Sequence, residues 1–106
     1  QAAETPRGAD VDGQWTVDLR VNDGDEPYTQ PMVLNIAADG VVTGEFYNSA
    51  ISSGRYGRNR GRSCVEFVTS DGMGDYQHAA CLIDGRMVGQ SWAEHRRFVL
   101  PWVASR

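Results

Sequence analysis

The chain has 106 residues, a hydrophobic fraction of 41% and a formal net charge of −4. That length holds one domain around one core. No apolar run approaches the ~20 residues that a membrane helix needs, and the negative charge argues against general nucleic-acid binding. All ten basic residues are arginine, a bias that a GC-rich bacterial genome explains without reference to function.

Residues 1–12 lack periodicity and contain Pro6 and Gly8. They read as an N-terminal tail before a single domain over 13–106. The opening Gln1-Ala2-Ala3 suits a mature end left after export. From residue 14 onward, short runs alternate apolar and polar side chains. They are punctuated by Asp23-Gly24, Asp39-Gly40, Asp71-Gly72 and Asp84-Gly85. That pattern predicts an antiparallel β-meander.

The first strand is expected over 14–21, with Trp15, Val17, Leu19 and Val21 on one face. A polar loop over 22–30 follows. Strands over 31–37 and 41–48 form a hairpin. A three-residue loop with Gly40 in the left-handed conformation sets Leu34 opposite Gly44, whereas a slip of one residue would bury Glu45. Residues 49–62 are ambiguous. Ala50-Ile51 begins a short strand, but Gly54, Gly57 and Gly61 weaken its continuation into a glycine- and arginine-rich loop.

Strands over 63–70 and 75–83 pair so that position 70 meets 75, 67 meets 78 and 64 meets 81. Cys64 and Cys81 then stand directly opposite, ~4.5 Å apart at Cα if the pair is not hydrogen-bonded. That separation is within reach of a disulfide, which implies an oxidising compartment, periplasmic or secreted. A type I′ turn at Asp84-Gly85 sets Leu82 opposite Met87 in a strand over 86–92. A four-residue loop over 93–96 sets Ser91 opposite Phe98, Gly89 opposite Leu100 and Met87 opposite Trp102 in a last strand over 97–103. Pro101 cannot donate to a ladder, so this strand is expected at an edge or at the weak seam of a barrel. Seven or eight strands with single-sided alternation and no helix predict an all-β, up-and-down meander, closed or nearly closed into a barrel. A two-sheet sandwich is the alternative.

No catalytic motif stands out. Two cysteines alone do not make a zinc site, and Asp75 and Cys81 lie at odd spacings from His78, on the other face of its strand. No metal and no cofactor is therefore expected. Trp15, Tyr76, His78, Ser91 and Trp102 face inward and are candidates to line a ligand pocket. Gly44, Ala80 and Gly89 leave room beside them. The plainer reading is a packed core, with Trp15 and Trp102 filling those gaps and His78 hydrogen-bonded to a neighbour. Arg55, Arg58, Arg60 and Arg62 could hold an anionic partner. The plainer reading there is a solvated loop balanced by the acidic cluster between Asp18 and Glu26.

Two resemblances rest on specific residues. The segment 32–46, M-V-L-N-I-A-A-D-G-V-V-T-G-E-F, resembles the second hairpin of avidin-type barrels, and Gly13-Gln14-Trp15 resembles the Gly-x-Trp that opens avidins and lipocalins. This calycin-like resemblance implies a ligand at the barrel mouth. Biotin is not implied, because the later pocket tryptophans have no counterpart here. The short tail before Gly13-Gln14-Trp15 is also similar to that of periplasmic inhibitors of serralysin-type proteases, barrels with one disulfide, although the cysteine positions depart from theirs. That resemblance implies a protein partner contacted through residues 1–6. The two expectations are a non-enzymatic small-molecule binder and a protein-interaction module; an enzyme ranks third.

Overall fold

The computed structural model describes residues 10–20, 22 and 24–106. Residues 1–9 of the expected 1–12 tail, Val21, and Asp23 of the Asp23-Gly24 turn lie outside the described residues. Nine strands are present among those described: β1 (Gly13–Asp18), β2 (Thr29–Ile36), β3 (Val41–Phe46), β4 (Ser49–Ala50), β5 (Ser52–Asn59), β6 (Arg62–Ser70), β7 (Asp75–Ile83), β8 (Arg86–Ala93) and β9 (Phe98–Ser105). All pairings are antiparallel. The order β2-β1-β9-β8-β7-β6-β5-β3, with β2 returning to β3, closes an eight-stranded barrel, and β4 is an extra strand on β3. There is no helix among the described residues, hence none long and apolar enough to cross a membrane.

Hairpin chemistry fixes most of the register. Gly40 has φ 90°, and Leu34 faces Gly44 as the alternation requires. Asp84 and Gly85 both have positive φ, the geometry of a type I′ turn. Leu82 therefore meets Met87, and Cys64 meets Cys81. The two cysteines are joined on the outer face with their Cα atoms 4.0 Å apart.

Two expectations are corrected. The segment over 49–62 is not a solvated loop: β5 runs to Asn59 and turns through Arg60-Gly61, both with positive φ, into β6. Its glycines lower strand propensity, but Gly54 is where β3 packs closest, since a Cβ there would lie 2.3 Å from the Val42 carbonyl oxygen. The second correction is a shift of two residues between β8 and β9. Phe98 meets Ala93, Leu100 meets Ser91 and Trp102 meets Gly89. The loop is therefore 94–97, closed by the Arg97 N–H donating to the Ala93 carbonyl at 2.8 Å. A shift of two keeps every face, so alternation could not exclude it. Bulk decides instead: a Cβ on Gly89 would lie 2.9 Å from the Trp102 ring, so the indole occupies the space that the missing side chain leaves.

The core is filled by Trp15, Val17, Met32, Leu34, Val42, Phe67, Met87 and Ala104, all essentially inaccessible. One end of the barrel is sealed. Val11 is fully buried there, and its carbonyl accepts the Trp15 Nε1–H at 3.0 Å. Arg106 stacks over Trp15 and donates to the carbonyls of Asp10 and Asp12. Asp10 accepts from Ser63 at 2.5 Å and pairs with Arg58 at 3.5 Å. The chain just before β1 thus acts as a plug.

Candidate functional site

The opposite end is open. A cavity of about 470 Å³ enters there, lined by the ends of β3, β6 and β8, the starts of β7 and β9, and the loop around Leu19 and Tyr28. Its walls are mainly aromatic and aliphatic: Phe46, Phe98, Leu100, Tyr28, Tyr47 and Tyr76. Its polar groups converge from three adjacent strands: Thr69 on β6, His78 on β7 and Ser91 on β8. The shared inward parity of these strands places them side by side.

His78 is the centre of this polar cluster. Its ring is stacked on Phe67 at 4.9 Å and lies 4.3 Å from Phe46, and the residue is 2% exposed. Nδ1 is 2.6 Å from Ser91 Oγ and Nε2 is 2.9 Å from Thr69 Oγ1. Trp102 Nε1 donates to the same Ser91 oxygen at 2.8 Å. Burial pushes the imidazole down to about 4, so it is neutral at physiological pH. Among the described residues no carboxylate bonds to either ring nitrogen, so the usual means of making a histidine a strong base is missing there.

The rim carries a separate charged cluster. Asp71 accepts from the Tyr76 hydroxyl at 2.8 Å, from the N–H groups of Met73 and Gly74, and from His95 and Arg96 at 3.3 and 3.2 Å. These bonds, Tyr76 foremost, hold its carboxyl well below the usual carboxylate range, and the same bond raises the Tyr76 phenol. The Asx-type turn at Asp71 thereby locks Tyr76 and Arg96 at the entrance. Across the mouth, Tyr28 and Tyr47 join through their hydroxyls with rings edge to face.

Of the five residues expected at a pocket, Tyr76, His78 and Ser91 line the cavity. Trp102 touches it only through Ser91, lying beneath with its ring 5.4 Å from Phe46. Trp15 is packed toward the sealed end. Thr69, Asp71 and Arg96 join Tyr76, His78 and Ser91 in the lining, and the inward parity of Val65 and Phe67 extends to Thr69.

The arginines do not converge. Arg58 reaches Asp10 and Ser63, while Arg55, Arg60 and Arg62 are exposed and form no ion pair among the described residues. Asp18 is paired with Arg20, not with this segment. No group of three or more His, Cys, Asp or Glu is placed to hold a metal among the described residues. The chain matches no protein-family model, no curated protein and no solved structure.

Proposed function

We propose that this protein is a non-enzymatic, calycin-like binding module that takes a small molecule into the open barrel mouth. The observation that carries the reading is the mouth cavity itself. It is within the size range of small-molecule sites, largely apolar, and equipped with a few convergent polar groups that are already held in place. Asp71 is saturated with donors and His78 is neutral with both nitrogens bonded, so the polar groups are arranged to recognise rather than to transfer protons. The disulfide suits an exported protein working in the periplasm or outside the cell.

The test is calorimetric titration of neutral naphthalene derivatives into the wild type and into Leu100→Trp, which fills the mouth. Binding by the wild type and its loss in the filled variant are expected. No binding by any of them, or equal binding by both proteins, would overturn the reading. The alternative, protease inhibition through residues 1–6, concerns a segment outside the described residues.

A further inference from the structure

The polar cluster allows the ligand class to be narrowed, on the premise that the mouth is a binding site. Trp102, Ser91, His78 and Thr69 form an unbranched chain of side chains joined by three hydrogen bonds. With the imidazole neutral, each of the four groups carries one polar hydrogen. Three hydrogens are used in the chain, and one is left over.

Its position follows from the tautomer. Trp102 Nε1–H can only donate, so Ser91 Oγ accepts from it. If the Ser91 hydroxyl donates to Nδ1, then Nε2–H donates to Thr69 and the Thr69 hydroxyl hydrogen is spare. If Nδ1–H donates to Ser91, Thr69 donates to Nε2 and the Ser91 hydrogen is spare. Thr69 and Ser91 both line the cavity, and among the described residues neither side chain bonds to any other group. Either way, one hydroxyl hydrogen is offered to the mouth cavity.

From this geometry we infer that the ligand is a neutral, planar aromatic molecule with a hydrogen-bond acceptor, such as a carbonyl oxygen, at its leading end. The acceptor takes the spare hydroxyl hydrogen beside His78. The ring system lies between Phe46, Tyr76 and Phe98. Charge is disfavoured on both signs. Among the described residues Arg96 is the one cation of the lining, and it is already paired with Asp71. An anion at the inner end would meet only neutral donors in an apolar enclosure, and a cation would find no carboxylate there.

Three probes test it by calorimetry: acetylnaphthalene, its hydrocarbon isostere isopropenylnaphthalene, and naphthoate. The ketone is expected to bind roughly ten-fold tighter than the isostere, the value of one net hydrogen bond. That advantage should shrink in Thr69→Val or in Ser91→Ala, whichever hydroxyl carries the hydrogen. Infrared difference spectra of the wild-type complex give an independent readout: the ketone carbonyl stretch should fall below its frequency in hexane. Equal or tighter binding of the isostere, a carbonyl frequency as in hexane, an advantage unchanged in both variants, or naphthoate binding best would each overturn the inference while leaving a binding mouth intact. Failure of all three probes to bind would overturn the binding mouth as well.

Discussion

His78 makes stability depend on pH in a defined window. The ring lies against Phe46 and Phe67, is 2% exposed, and has a pKa of about 4 in the folded state against an ordinary 6.5. Between those values the unfolded chain binds a proton that the folded protein does not, so stability rises with pH there. The contribution is fully present above the unfolded value and is lost as pH falls toward 4. The gap corresponds to about 3 kcal/mol, a large share of a small domain's stability. Asp71 and Asp18 act in a different range. Their pKa values are depressed from an ordinary 3.8, so their contributions are present above that value and fade below it. The assay is a set of urea melts at closely spaced pH values from 4 to 7 on the wild type and His78→Gln, with the imidazole resonance of His78 followed by NMR. Wild-type stability should fall by about 3 kcal/mol across the window, and the variant should be nearly flat. A flat wild-type profile, the same slope in His78→Gln, or an imidazole that titrates near its ordinary value would refute the reasoning.

Four other outcomes are expected. Replacing Cys64 and Cys81 together by Ser should cost about 3 kcal/mol in urea melts, the chain-entropy value for a loop of this length. Gly44→Ala should unfold the protein or cost more than ~3 kcal/mol, because φ is 132° and a Cβ would sit 1.9 Å from the Val33 carbonyl oxygen; Gly57→Ala, with no atom within 4 Å, should be tolerated in the same melts. Leu100→Ala should cost about 2 kcal/mol, and Val99→Ala, at a residue 63% exposed, less than about 0.5 kcal/mol, so equal losses would mean that β9 presents the wrong face. Changing Arg55, Arg60 and Arg62 to Gln should alter low-salt stability by less than about 0.5 kcal/mol, because these side chains lack ion-pair partners among the described residues.

The parts of this molecule that were legible in sequence are those where neighbouring strands share a tight turn. The β6–β7 register follows from the length of the Asp71 turn. It places the cysteines outside and His78 inside in one step. Alternation reports which way a side chain points, with a period of two. It therefore reads the inward set of β8 and β9 correctly and is blind to their shift by two, which the bulk of Trp102 over Gly89 settles. It is equally blind to depth along the barrel axis. Trp15 and Trp102 face inward as expected, but only the stagger of the closed barrel shows that they lie below the cavity rather than in its wall. β5 was hidden for another reason. Its buried positions are Gly54 and Tyr56, and its remaining residues are exposed and, Gly57 apart, polar, so the strand is defined by what it pairs with rather than by its own composition.

That stagger also explains why the mouth is open. β1 pairs with β9 only through Thr16–Asp18 against Val103–Ser105, so the stretch of β9 from Phe98 to Trp102 pairs with β8 alone. Pro101 lies in this stretch, where β1 has already turned away. Beyond Asp18 the chain stays with β2, the Leu19 N–H donating to the Tyr28 carbonyl at 2.7 Å, and Leu19, Tyr28, Phe98 and Leu100 become cavity wall. On the far side of the mouth, Thr69 and His78 sit on β6 and β7, a hairpin with an unbroken ladder from Ser70↔Asp75 to Cys64↔Cys81 and a disulfide across its outer face. The side chains of the Thr69–His78 hydrogen bond thus stand on a continuous ladder, whereas the Phe98–Trp102 stretch of β9 is laddered on its β8 side alone.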